Sequence, residues 1–344
     1  MSKKTKFAIA ALLLIIAVII ACTHGRKFYF AMMQKVELEE TVYIYVTPND
    51  SAASVMKKIE EAANPASTEG FAILAEHNNY DKRKRSGKYA IKNGDTMSDI
   101  YNRIVSRQQT PVRVTIPSTR NIQQAISIIS NQLMIDSAQL AAYTKPVALS
   151  CFEHNEITAP SLFIPDTYEV YWDISAEDMF AKISRWHRKY WNKERTAKAK
   201  AIGFTPLEVA TLASIVDEET ANTAEMPMVA GLYINRIKRG MLLQADPTVK
   251  FALKDPTRKR ILNKDLLVES PYNTYKHKGL PPGPIRIPTK QAIESVLNYK
   301  KHDYLYMCAK EDFSGTHNFA KTLSEHTANA QRYQQALNKL NIKQ

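Results

Sequence analysis

One stretch limits what this chain can fold into before any other. From residue 7 to residue 25 nothing carries a formal charge, and as far as Cys22 the run is almost purely aliphatic. At about 1.5 Å per residue such a helix reaches roughly 28 Å, enough to cross a thin bilayer core. Lys3, Lys4 and Lys6 precede it, and Arg26 and Lys27 follow. A basic lead tends to stay in the cytoplasm, which puts the large C-terminal part outside it. Two readings compete with an uncleaved anchor. One is a cleaved signal peptide, although no small-x-small site followed by a polar start stands out. The other is a lipoprotein signal, because Ile19-Ile20-Ala21-Cys22 loosely resembles a lipobox. The expectation is a cytoplasmic tail over 1–6 and a single transmembrane helix over 7–25, in a plasma (inner) membrane.

The rest of the 344 residues, 44% hydrophobic and 24% charged across the chain, is enough for two compact domains. The net charge of +13 fits either an anionic partner or an ordinary solvated surface. No basic helix interleaved with aromatics is present, so nucleic acid is not an expected partner. Beyond Cys22, the cysteines Cys151 and Cys308 either pair in an oxidising compartment or are two buried thiols. There is no CxxC and no clustered His/Cys spacing, and neither a metal nor a cofactor is expected.

Residues 41–46 (TVYIYV) alternate as a strand should. Helices are predicted over 51–63 and 67–77, and the basic run 81–85 reads as a solvated loop. A strand, an Asn93-Gly94 turn and a capped helix through Ile100, Ile104 and Val105 come next, then a strand over 111–116. Together these predict a small α+β module over 38–117.

A larger α+β domain is expected over 118–344. Helices are predicted at 121–130, 136–143 and 176–191, with a turn and strand at 161–171. The stretch 205–220 reads as a helix with Thr205 as N-cap, Pro206 in the first turn and Glu208 completing a capping box. Val209, Leu212, Ala213, Ile215 and Val216 mark a buried stripe. At about 100° per residue Glu219 falls between Leu212 and Ile215, whereas Asp217 and Glu218 point away. One acid of three therefore continues the apolar face. A helix over 225–239 follows, closed by Gly240. Asp246, before Pro247, reads as an N-cap, whereas Gln244 has no structural reason for its place. Four prolines and two glycines make 279–288 a fixed-shape loop, with Leu280 and Ile285 packed against something. A strand is expected at 304–309, and 315–319 leads into a terminal helix.

Within the small module, YAIKNGDTMSDIYNRI resembles part of a LysM-like module, whose relatives bind N-acetylglucosamine-containing glycans; an ordinary strand-turn-helix is the alternative. Across the larger domain FIPDTYEVY, LASIVDEET, YINRIKRGMLLQADPTV, PYNTYKHKGLPPGPI and THNF occur in that order. They resemble the endolytic murein transglycosylase family, the YceG-like proteins. In that family the functional glutamate immediately precedes Thr in a pattern like S-I-V-E-x-E-T, which is Glu219 here, with Asp217 replacing the earlier Glu. The resemblance implies cleavage of the MurNAc-β-1,4-GlcNAc bond of nascent peptidoglycan strands without water. That leaves 1,6-anhydro ends and terminates strand elongation.

Such chemistry needs one group that is first acid, then base. Glu219 would protonate the glycosidic oxygen, then accept the proton of the muramyl C6 hydroxyl as it closes on the anomeric carbon. The nucleophile belongs to the substrate, so no second carboxylate is required. Asn235, Gln244, Tyr272, Asn273, Thr274 and Tyr275 are the candidates to hold sugars and acetamides, with Arg236 for a lactyl or peptide carboxylate. Asp246, Phe319 and the loop residues Gly279, Leu280, Pro281 and Pro282 complete the candidate substrate site. His317 would orient Glu219 or the substrate, or be structural. Expected partners are peptidoglycan strands, the membrane and cell-wall synthesis enzymes. Two rival functions stay open: a hydrolase of the same polymer with Asp246 as second carboxylate, and a non-catalytic, membrane-tethered glycan-binding protein.

Overall fold

The computed structural model describes residues 3–82, 85–255 and 261–339. It is a mixed α+β protein whose described strands form three two-stranded sheets, β1–β2, β3–β4 and β5–β6. The chain divides into two units, one of residues 1–113 with 169–174, the other of 114–168 with 175–344.

In the first unit α1 (Lys3–Met33) precedes β1 (Val42–Val46), α2 (Ala52–Ala63), α3 (Glu69–His77), β2 (Gly87–Ile91) and α4 (Met97–Val105). The helix α1 is longer than the apolar run that predicted it. Residues 12–19 along it are exposed. Among the described residues no single helix is long and apolar enough to cross a membrane. The strands β1 and β2 pair antiparallel, Val42 opposite Ile91 and Val46 opposite Gly87. Ile44, Val46, Tyr89 and Ile91 thereby face a core shared with Val55, Ile59, Phe71 and Ile100. Gly94 takes φ +83° in the turn after β2, which glycine adopts without steric cost. Thr96 and Asp99 form a reciprocal capping box at α4, and Arg103 bridges Asp95 and the Ala90 carbonyl. Of the basic run 81–85, residues 83 and 84 lie outside the described residues; Asp81 accepts from the Ala52 N–H at the start of α2.

The second unit runs β3 (Val112–Ile116), α5 (Ile122–Ser130), α6 (Ser137–Ala142), α7 (Pro146–Ser150), α8 (Ala159–Leu162) and β4 (Asp166–Val170), the outer residues of β3 and β4 being counted with the first unit. Then come α9 (Ala176–Tyr190), α10 (Lys193–Ala201), α11 (Pro206–Glu219), α12 (Met226–Lys238), α13 (Asp246–Ala252) and α14 (Lys290–Leu297). The chain ends with β5 (Tyr306–Ala309), β6 (His317–Ala320) and α15 (Leu323–Lys339).

The centre of this unit is α11. Thr205 and Glu208 cap it as expected, with Thr205 Oγ1 accepting from the Glu208 N–H and Glu208 accepting from the Thr205 N–H. A single apolar stripe does not describe it, because every residue from Val209 to Val216 is buried. A helix apolar all round is a core helix, sheathed by neighbours; here these include α12 and α14. Its two buried hydroxyls are satisfied locally, Thr211 donating to the Leu207 carbonyl and Ser214 to the Thr211 carbonyl. Ser214 Oγ also accepts from the Ile285 N–H, which pins the proline-rich loop to the helix. At Gly231 of α12 an added Cβ would lie 2.4 Å from the Lys300 carbonyl. The absent side chain lets the segment after α14 lie directly on α12.

Three expectations need correction. Of residues 315–319, read as a lead into the last helix, 317–319 belong to β6, which pairs with β5, Cys308 opposite Asn318. Asp246 is not an N-cap: Ala245 holds the cap position and Asp246 is the first helical residue. No disulfide joins Cys151 to Cys308, and the two are not buried thiols, Cys151 being exposed and Cys308 half-buried.

Candidate active site

The three acids that end α11 go three ways. Asp217 accepts from the N–H and the hydroxyl of Thr289, at 2.6 and 2.7 Å, and so anchors the N-cap of α14. Glu218 pairs with Arg286 at 2.7 Å. Among the described residues no cation pairs with Glu219; Tyr233 Oη, one helix away on α12, donates to its Oε1 at 2.5 Å. The acids therefore differ in compensation rather than in phase on the helix, since α11 is buried on all sides.

That difference sets the chemistry. Burial pushes the Glu219 pKa up to about 7, the Tyr233 hydrogen bond opposes the rise, and the nearby charge of Asp246 adds to it. A carboxyl taken out of water without a counter-charge holds its proton. Near neutrality this one is poised to give a proton up and to take it back. Burial and Glu219 together push the Tyr233 hydroxyl well up, which keeps it a donor.

Glu219 opens on a cavity of about 340 Å³ whose walls also include Tyr233, Arg236, Gln244, Asp246, Tyr275, Tyr306, Cys308, His317 and His326. Of the sequence-predicted residues, Glu219, Arg236, Gln244, Asp246, Tyr275 and His317 meet here. Their roles are more specific than a list of sugar-holding groups. Arg236, which sequence assigned to a substrate carboxylate, is buried. It donates to the Leu242 and Leu305 carbonyls at 2.8 and 2.9 Å and to the Gln244 side-chain oxygen, so it positions Gln244. Gln244 itself sits at φ +53° and is exposed. Tyr275 Oη donates to Asp246 Oδ1 at 2.6 Å. His317 places Nδ1 2.8 Å from Glu225 Oε2, and its N–H donates to the same carboxylate, leaving Nε2 as the ring's other nitrogen.

The remaining candidates lie outside this cavity. Asn235 donates to the His302 and Tyr304 carbonyls. Asn273, fully buried, ties down the Leu266 and Val268 carbonyls and the Tyr275 N–H. Thr274 accepts from the Ala245 N–H and bonds Thr248. Asn273 and Thr274 shape the loop that presents Gln244, Asp246 and Tyr275, whereas Asn235 holds the segment between α14 and β5. Tyr272, Leu280 and Phe319 pack on the core around α11. Pro281 is buried and Pro282 exposed, and Gly279, at φ +82°, turns the chain. Sequence reasoning missed Tyr233, Tyr306, Cys308 and His326. Tyr233 lay inside a motif already noticed, but nothing local distinguishes a hydroxyl aimed at Glu219 from an ordinary core tyrosine. No cluster of three or more metal-ligating side chains occurs among the described residues.

A core helix thus ends in a carboxyl with a raised pKa, set in a cavity of polar and aromatic side chains. The chain belongs to the YceG-like family, whose sequence model matches residues 44–332. It is 37% identical over 161 residues to an endolytic murein transglycosylase of Bacillus subtilis (strain 168), a match covering 47% of this chain and 44% of the relative. It is 34% identical over 153 residues to a protein of the same name from Streptococcus pneumoniae serotype 2, covering 42% of this chain and 27% of the relative. The chain thus matches less than half the length of either. A crystal structure of a yceG-like protein from Listeria monocytogenes shares the fold, with a TM-score of 0.55 at 24% identity, covering 85% of this chain and 99% of that one.

Proposed function

We propose that this protein is a lytic endotransglycosylase of peptidoglycan, cutting the MurNAc-β-1,4-GlcNAc bond of nascent strands. The observation that carries the reading is Glu219: one carboxyl, protonated up to about pH 7, held by Tyr233 in a cavity with amide, phenol and imidazole groups. In the first half of the reaction Glu219 gives its proton to the glycosidic oxygen, and the GlcNAc 4-hydroxyl departs. In the second half the Glu219 carboxylate takes the proton of the muramyl C6 hydroxyl while that oxygen bonds to C1. The acid is restored, no water is consumed, and the product carries a 1,6-anhydro end. Gln244, held by Arg236, and Tyr275, bonded to Asp246, would bond sugar hydroxyls or acetamides.

The exposed apolar face of α1 supports a membrane anchor, with the rest of the chain on the extracytoplasmic side, and the small β1–α4 module supports a LysM-like attachment to the same polymer. A second reading is favoured by one observation. Asp246 lines the same cavity as Glu219, so it could activate a water and make the enzyme a hydrolase. The proposal is tested by incubating full-length protein, wild type and E219Q, with uncrosslinked strands and sizing products over time. Mid-length fragments should appear early with wild type and be suppressed by 10²–10⁴-fold with E219Q, the usual contribution of a general acid. Normal cutting by E219Q would remove Glu219 from the mechanism, and disaccharides released from the start would make the cutting exolytic.

A further inference from the structure

We propose that the cavity on the other flank of the Glu218–Glu219 turn holds an acidic peptide borne by the polymer next to the cut, an inference that rests on the polymer-cleaving reading above. Successive residues of α11 face two cavities, Glu219 the one described and Glu218 a second of about 380 Å³. The helix α13 is shared in the same way: Asp246 lines the first, and Pro247, Lys250 and Phe251 line the second. A ligand lying across these two helix ends reaches both.

The second cavity has a chemistry of its own. Arg120, Lys250 and Lys254 line it, and among the described residues none of the three is in an ion pair. Of its two acids, Glu218 is paired with Arg286 and Asp255 takes part in another interaction. Phe251 presents a 38% exposed ring, backed by Tyr272 at 4.7 Å between centroids. Uncompensated positive charge raises the local concentration of anions, and an exposed ring gains from covering by apolar groups. A neutral sugar would leave the cations unmatched, and a bare inorganic anion would leave the ring uncovered. A short peptide with carboxylates along an apolar backbone satisfies both. The protein would then grip a strand by its peptide as well as by its sugars.

The test uses full-length protein in detergent and, as probe, the peptide mixture released from purified strands by an amidase, with inorganic phosphate as control anion. Calorimetric titration should show saturable peptide binding to wild type and to E219Q alike. Binding should weaken at least tenfold in K250E/K254E and several-fold in F251A, with millimolar phosphate failing to displace the peptide. K250Q/K254Q, a milder change at the surface, should weaken it in the same direction. In cleavage assays K250E/K254E should raise KM at least tenfold on peptide-bearing strands and leave peptide-free strands unchanged. Absent binding, equal binding by wild type and K250E/K254E, full displacement by phosphate, or equal effects on both strands would overturn the peptide site. Wild type that binds the peptide in this lysine-dependent way but cuts neither strand supports the peptide site and refutes the cleavage reading instead.

Discussion

Tyr233 and Glu219 set each other's protonation, and substitutions at either have signs that can be worked out. The phenol donates to Glu219, which lowers a pKa that burial has raised. Y233F removes that donor and should move the alkaline fall of activity upward from about pH 7, with loss in kcat larger than in KM; a pH–rate profile reads both. Stability carries the same information. The ordinary value for Glu219 is 4.5 and the folded value about 7. Between these pH values the unfolded chain gives up a proton that the folded chain keeps, so rising pH disfavours folding, and the full penalty is reached above 7. E219Q escapes it. The variant and wild type should be nearly equal in stability below pH 4.5 and differ by up to about 3 kcal/mol in favour of the variant at pH 8, measured by denaturant unfolding across that range.

At the scale of elements, α11 is locked to α14 through Asp217 and to the proline-rich loop through Ser214. D217A leaves the Thr289 N–H without its acceptor and loosens the start of α14. A cost of about 1–3 kcal/mol is expected, with thermal melting as the check and the Glu219 titration little changed. The local rules served well where they were local. The capping box of Thr205 with Glu208 was legible, because donor and acceptor lie three residues apart. The strand β6 was not, since its partner β5 lies across a turn and its four residues carry no alternation of their own. The helix α10, rich in lysine and alanine, lacks an apolar stripe to announce it. The helical phase that singled out Glu219 does not distinguish it in the structure, because all sides of α11 are covered. What distinguishes it are Thr289, Arg286 and Tyr233, residues whose meeting depends on the whole fold. For the same reason sequence does not show that the Asn235 amide nitrogen and the Asn273 and Thr274 side chains bond within the protein.

At the scale of the whole molecule, the exposed aliphatic face of α1 and the acid–base site of the second unit suit a protein held at a membrane while it works on a polymer beside it. Full-length protein should sediment with membranes through high-salt and carbonate washes and be released by detergent. Removing residues 1–27 should move it to the soluble fraction without changing the size of the fragments it makes from purified strands. The central claim is that Glu219 alone runs both halves of the reaction with a hydroxyl of the substrate as nucleophile. Mass spectrometry of the first products from uncrosslinked strands tests it most directly. The account predicts 1,6-anhydro ends that disappear with E219Q; reducing ends heavier by one water would contradict it and assign the water to Asp246.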